Sequence, residues 1–295
     1  MKKFQVLTDS TSDLTKEQRE KYGIDYLNMV FTINEVTYDA DLDWSKISFE
    51  EFNALMRSGK RSVTGLVKTE ELEQKFNKYL EQGLDVLYIT CSSKLSGSIN
   101  SAKIVASELA LKYTKNKIIC LDSLRSCMAE GLISIEAAKL ANEGKDIDEV
   151  AAFINEEKLK YNCWATVGTL DYMKKAGRVK ASTAFFGNLF RVKPIVMTDA
   201  TGSNVAYTKS KGRKDSLSDL VNLVQAQVAD PSQAEIYVEH ADCLEDAKYV
   251  VDLIKERINP KYVGIYKLGP IIGTTVGPDS IVIDFYGKKV TYIGE

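Results

Sequence analysis

Short apolar runs alternate with amphipathic stretches along the first 160 or so residues, and that alternation predicts strands and helices in turn. Phe4–Leu7 is the first run, and it empties into Thr8-Asp9-Ser10-Thr11-Ser12-Asp13. An apolar run feeding polar loop residues suits a buried parallel strand whose C-terminal edge carries a site. Thr15–Tyr22 predicts a short polar helix, with Thr15 and Gln18 at capping-box spacing. Tyr26–Ile33 and Val36–Tyr38 read as extended. Further helices are predicted over Ser48–Ser58 (Ser48 and Glu51 forming a second capping box), Thr69–Glu81 with Gly83 just beyond its end, Ser98–Tyr113, Cys127–Asn142 and Ile147–Leu159. Val86–Thr90 and Lys117–Leu121 read as buried strands.

The pattern changes near residue 160. Cys163–Val167 reads as a strand, Tyr172–Lys180 is basic and Ala184–Phe190 is apolar. Ile195–Thr198 and Val205–Thr208 flank the turn residues Asp199–Ser203 and predict a hairpin. Helices are expected over Ser216–Ala229, stopped by Asp230-Pro231, and over Leu244–Ile258, with strands at Ile236–Val238 and Tyr262–Lys267. Ile281–Tyr286, Gly287 and Val290–Ile293 read as a terminal hairpin. The expectation is an α/β protein of two α/β domains, 1–160 and 161–295, with a ligand cleft between them.

Composition narrows the function classes. The 39 basic and 41 acidic residues give a net charge of −2, without the basic footprint of a nucleic-acid binder. His240 is the single histidine, so His-rich metal centres are excluded and any His-dependent triad must run through it. A strand-end histidine holding a local hydrogen bond is the plainer reading. The five cysteines, Cys91, Cys120, Cys127, Cys163 and Cys243, form no CxxC and read as buried, inert thiols of a reducing compartment. The N-terminus lacks the long apolar stretch of a signal peptide, and no window holds ~18 consecutive apolar residues, so the expected address is the cytoplasm.

Three polar loops carry the candidate chemistry. Thr8–Asp13 offers Asp9 and Ser10 among a row of side-chain oxygens. Ser92–Ser98 joins a strand to a helix, and free N–H groups there, together with Ser96, Gly97 and Ser98, suit an anionic oxygen group. The alternative is that Ser96 or Ser98 is only an N-cap. Gly269–Pro278 exposes backbone N–H groups beside Thr274 and Thr275, or is simply a tight turn. Lys174, Lys175 and Arg178 begin a basic cluster that could dock an acidic partner, a phosphate or an anionic lipid surface, or could be a solvated helix face. No Walker A, G-x-G-x-x-G or G-x-S-x-G pattern occurs.

At these loops the chain resembles the DegV family of bacterial fatty-acid-binding proteins. The matching residues are Thr8–Leu14, Leu95–Ser98 with Ser101-Ala102, Asp122-Ser123, Thr169–Arg178, Lys193–Ile195 and Gly269–Thr274 with Val276–Pro278. The resemblance implies a long-chain fatty acid between two α/β domains, its carboxylate gripped by hydroxyls and backbone N–H groups. It assigns Ser96, and Thr64 in Ser62–Gly65, to the carboxylate. It also implies presentation of that carboxylate to a separate ATP-dependent fatty acid kinase for phospholipid synthesis. The chain departs from the family where Thr64 is followed by Gly65-Leu66-Val67-Lys68 rather than a Ser-Gln-Pro-Ser-like run. It also has Ala176 and Asp279 for usual glycines, and Thr275 where many members have a histidine. A threonine donates a hydrogen bond but carries no charge near neutral pH.

The reading is therefore a non-catalytic lipid carrier that needs no cofactor and no metal. Its rival is a hydrolase or transferase acting on a small anionic substrate in the same cleft, with Asp9, Asp122 or His240 as general base. A third reading is a lipid-bound regulator whose basic patch docks a protein.

Overall fold

The computed structural model describes residues 3–181, 185 and 192–294. Of the apolar stretch 184–190, only Phe185 lies within the described residues, and it packs against the core. The first half builds a parallel sheet from β1 (Phe4–Asp9), β2 (Asp25–Leu27), β6 (Asp85–Thr90) and β7 (Ile118–Asp122), in the order β2-β1-β6-β7. A small antiparallel sheet, β4-β3-β5, is made by β3 (Val30–Ile33), β4 (Val36–Asp39) and β5 (Ser62–Gly65). The second half forms a six-stranded sheet in the order β10-β9-β8-β13-β11-β12. Its strands are β8 (Tyr161–Thr166), β9 (Val192–Thr198), β10 (Asn204–Lys211), β11 (Glu235–His240), β12 (Tyr262–Lys267) and β13 (Ile281–Tyr286). Only the β11–β12 pair in it is parallel.

Local sequence explains most helix limits. In α1 (Lys16–Tyr22) the Thr15 side chain accepts from Gln18 N while the Gln18 side chain accepts from Thr15 N, and Gly23 closes the helix at φ 65°. In α2 (Phe49–Arg57) Ser48 accepts from Glu51 N, which is half of the expected box. Then come α3 (Thr69–Leu80), α4 (Ser98–Lys112), α5 (Cys127–Asn142), α6 (Ile147–Glu157) and α7 (Asp171–Ala176). The second half adds α8 (Arg213–Gln227), α9 (Leu244–Arg257) and α10 (Pro270–Val276).

Two expectations are corrected. The Gly-rich stretch 269–278 is mainly the helix α10, because Pro270 sits at its first turn, where a missing N–H costs nothing. Residues 290–293 do not return along β13 as a hairpin. Their backbone donors and acceptors are used elsewhere: Val290 N donates to Leu159 O, and Ala200 N donates to Tyr292 O.

The position of α5 decides where the site falls. Eleven of its sixteen residues are buried. It packs on β1 and β6 of the parallel sheet and on β8 and β13 of the six-stranded sheet. A helix apolar on every side belongs in such an interior layer. Gly131 allows the approach: a Cβ there would lie 2.6 Å from Ser12 O and 2.8 Å from Leu14 Cδ2. Arg125, fully buried just before α5, clamps the junction by donating to carbonyl oxygens of Tyr161, Leu124, Asp199 and Leu159. Burial depresses its pKa to about 10, so it stays charged at neutral pH.

Candidate functional site

A pocket with about 630 Å³ of empty space, part of it open to solvent, lies between the sheets, beside the loops that follow β1 and β6. Those loops flank the point where the chain connections from β1 to β2 and from β6 to β7 go to opposite sides of the parallel sheet, the usual place for a ligand in such a sheet. Apolar walls come from Met29, Leu95, Met173, Ile271, Ile272 and Val276 on one side, and from Ala165, Val196, Met197 and Val282 of the six-stranded sheet on the other.

Three of the six hydroxyl residues that line it were expected from the sequence and come from separate segments: Thr64 on β5, Ser96 before α4, and Thr275 on α10. Their segments are tied together. Ser62 Oγ and Thr274 Oγ1 are 2.7 Å apart, joining β5 to α10. Val67 N donates to Ser98 Oγ at 3.4 Å, joining the loop after β5 to α4. Thr64 and Thr275 are half-buried and Ser96 is buried. Ser96 Oγ lies 3.0 Å from Ser98 Oγ and accepts from Ser98 N at 3.3 Å. The N-cap of α4 is Gly97, so neither serine caps in the ordinary way. Thr275 Oγ1 donates to Ile271 O at 3.2 Å, and the Thr64 hydroxyl makes no hydrogen bond among the described residues. The Thr64 proton is free for a ligand and that of Ser96 is free when Ser98 donates to it, while Thr275 must turn from Ile271 O to donate.

Other expected residues are placed differently. Gly97, Ser98 and Thr274 support the hydroxyl cluster from behind rather than lining the cavity. Asp9 is fully buried and saturated: Oδ1 accepts from Thr11 N and Thr11 Oγ1, and Oδ2 accepts from Cys91 N at 3.0 Å and the Tyr88 hydroxyl at 3.3 Å. It joins the ends of β1 and β6. Ser10 Oγ accepts from Met29 N at 3.0 Å and holds β3 to the same loop. Arg178, expected as a docking residue, lines the cavity. Its guanidinium donates to Leu95 O and to Ala176 O, tying the end of α7 to the Leu95-Ser96-Gly97 loop. Lys174 and Lys175 are exposed on α7 and do not line it.

The candidate bases fare no better as catalysts. Asp122 Oδ1 accepts from Ser93 N and Leu124 N, and does not border the cavity. His240 lies edge-on to Phe49, its Nδ1 accepts from Cys243 N at 3.3 Å, and burial lowers its pKa. It is local structure, as its place at a strand end indicated.

The sequence reading missed the inner face. Thr11, Ser126, Cys127, Cys163, Thr198 and Asn204 also line the cavity. Thr11 was visible as one of a row of hydroxyls, but the cysteines carried no spacing signal. Burial raises the thiol pKa of Cys91, while Cys120 and Cys243 are pushed up to about 12 by burial, so these three are inert at neutral pH.

With this geometry in hand, the relatives can be set beside it. Residues 3–288 match the model of the DegV family, described as an uncharacterised protein family. A DegV domain-containing protein of Clostridium perfringens is 33% identical over 287 residues, covering 97% of this chain and 98% of its own. A DegV lipid-binding protein of Thermotoga maritima has the same fold, with a TM-score of 0.85 at 24% identity, over 98% of this chain and 100% of that one. A DegV family protein of Thermus thermophilus, solved for its fatty acid binding, superposes with a TM-score of 0.87 at 22% identity, covering 97% and 99% of the two chains. Among the described residues no helix is long and apolar enough to cross a membrane.

Proposed function

The chain belongs to the DegV family, and from that premise we propose that it binds a long-chain fatty acid in the cavity between its sheets. The observation that carries this reading is the division of the cavity wall. Hydroxyls of Thr64, Ser96 and Thr275 line it together with those of Thr11, Ser126 and Thr198, and methionine and branched aliphatic side chains make most of the rest. A carboxylate taken from water needs donors, and the hydroxyls offer them. The acyl chain gains ~0.8 kcal/mol for each CH₂ it buries. Lipid-binding and fatty-acid-binding relatives of the same fold support the assignment.

In this reading the protein is a cytoplasmic carrier with no chemical step of its own. It presents the carboxylate to a separate ATP-dependent fatty acid kinase, and the exposed Lys174 and Lys175 of α7 face that partner or an anionic membrane surface. The rival hydrolase or transferase finds little support, since Asp9, Asp122 and His240 all lie off the cavity wall and are engaged in local hydrogen bonds.

Native mass spectrometry of the gently purified protein tests the reading. A co-purifying fatty acid, or saturable uptake of added palmitate, is expected; an empty cavity that takes up none would overturn it. Ser96→Ala should weaken binding by one lost charge-assisted hydrogen bond, roughly tenfold to a hundredfold. Unchanged affinity would remove Ser96 from the site.

A further inference from the structure

The inner face of the cavity backs onto a second cluster, built from five separate segments. Cys163 on β8 pairs directly with Asp284 on β13. Asp284 pairs with Tyr237 on β11, so Glu239, two residues on, shares its face. Cys127, the first residue of α5, and Asp13, after β1, come down over that face. Sγ of Cys127, Sγ of Cys163 and a carboxylate oxygen of Asp284 lie within 4.8 Å of one another, and so do the ligand atoms of Asp13, Cys127 and Glu239. All five residues are buried, Glu239 and Asp284 completely.

The cluster's polar atoms are poorly matched. Both oxygens of Asp284, Oε1 of Glu239 and Oδ2 of Asp13 have no hydrogen-bond donor outside the cluster, and only its own carboxyl and thiol groups stand close to them. The remaining oxygens are used: Glu239 Oε2 accepts from Met128 N, and Asp13 Oδ1 accepts from Gly269 N. Among the described residues none of the three carboxyl groups forms an ion pair. The nearby Arg125 spends its hydrogen bonds on carbonyl oxygens. A buried carboxylate without a cation or donors is costly, so something positive must be shared among these groups.

We propose that this cluster is a binding site for one thiophilic divalent cation of the zinc class, ligated by Cys127, Cys163 and Asp284, with Asp13 and Glu239 as the neighbouring carboxyl groups on the other side of Cys127. Two thiolates select such an ion over calcium or magnesium, and carboxylates are accepted alongside sulfur in four-coordinate sites. Uptake displaces the two thiol protons, and any proton on the ligating carboxyls, into solvent. Cys127 and Cys163 also border the cavity, which gives the ion its way in. Once bound, it would fasten α5 to β8 and β13, and so fix the two halves of the molecule to each other behind the ligand. In the absence of an ion, burial and the neighbouring acidic groups push the carboxyl pKa of Asp13 and Asp284 up.

The test uses the whole protein, stripped of metal by a chelator, delipidated, reduced with a phosphine and titrated with Cd²⁺ alone. Thiolate-to-cadmium charge-transfer absorption saturating at one ion per chain, and competed away by Zn²⁺, is expected. Cys127→Ser and Cys163→Ser should each abolish most of the band, and Asp284→Asn should weaken binding by at least about tenfold. Cys120→Ser, which alters a thiol outside the cluster, should change neither. Absence of saturable binding by the native protein overturns the site and leaves a proton-sharing cluster; that titration decides even if a variant fails to fold. A band that survives loss of both Cys127 and Cys163 also overturns it. Fatty-acid content, measured on the same samples before delipidation, fails or succeeds separately.

Discussion

The Thr11 hydroxyl stands 2.6 Å from Oε2 of Glu130 and also 2.6 Å from Oδ1 of Asp9. It has one proton and cannot donate to both, so one of the two carboxyl groups must itself be protonated. Glu130 is the stronger candidate. Burial, then the charge of Asp9, raise its pKa well above the ordinary value, against the hydrogen bonds from Thr11 and Thr8.

That relationship sets a pH dependence. A carboxyl whose folded pKa is raised binds more protons folded than unfolded above the unfolded value. Its contribution is therefore present at low pH and lost as pH rises past about 4.5 toward the folded value. Glu130→Gln keeps an oxygen for Thr8 and supplies an N–H toward Thr11. Over pH 5 to 7, its unfolding free energy should fall with pH less steeply than the native protein's, by about 1.4 kcal/mol per pH unit. Denaturant titrations across that range measure it; identical slopes would mean that Glu130 is ionised in the fold.

Asp25 titrates with the opposite sign. Burial would raise it, but the Tyr79 hydroxyl at 2.6 Å with Lys75 and Lys78 outweighs this and holds it at about 2. The stability it supplies is full above about pH 4 and disappears as pH falls toward 2. After allowance for solvent screening that amounts to about 1–2 kcal/mol. Asp25→Asn should lose this amount at pH 7 and show a shallower acid transition by circular dichroism.

Arg57, at the end of α2, reaches across the cleft to Asp242 and Asp279, donating to Asp279 Oδ1 at 2.8 Å and to Asp242 O at 3.0 Å. Both acidic residues hold positive φ, 56° and 62°, a conformation that disfavours side chains. The pairs are partly exposed, so Arg57→Ala should cost only ~0.5–1 kcal/mol of stability. Its larger effect should be on exchange of bound fatty acid, several-fold faster by stopped-flow fluorescence. An unchanged off-rate would reduce Arg57 to a surface ion pair.

Thr275 offers a hydroxyl where charge is absent. Thr275→His should make fatty-acid affinity rise more steeply than the native protein's as pH falls below about 6.5, because the imidazolium then faces the carboxylate. Isothermal titration at pH 6 and pH 8 compares the two proteins. Parallel pH profiles would place residue 275 away from the head group.

The helices and the parallel strands were legible because capping boxes and apolar runs are local signals; Thr15 with Gln18 is the clearest case. Pro270 is also a local signal, yet the glycines around it suggested a turn, and the packing of α10 against α2, β3 and β5 makes it a helix. Residues 290–293 have a strand's composition but their hydrogen-bond partners are set by tertiary position. In the site, Thr64, Ser96 and Thr275 could be singled out from loop chemistry and family resemblance, and the fold brings them to one cavity. Asp9 and Ser10 belong to an equally polar loop, but whether an oxygen faces a ligand or a neighbouring N–H is decided by strand register. The cluster of Asp13, Cys127, Cys163, Glu239 and Asp284 had no sequence spacing at all, since its members are assembled from five segments.

The layer occupied by α5 has a mechanical consequence. A protein of two lobes joined by a flexible link can gape like a jaw to admit cargo. Here one helix is glued to the sheets of both lobes, so gaping would strip its apolar surface from one of them. Any ligand that enters between the sheets would have to do so without that joint opening. Severing the chain between residues 142 and 161 would not free two independent halves: it would leave each with one bare side of the same joint.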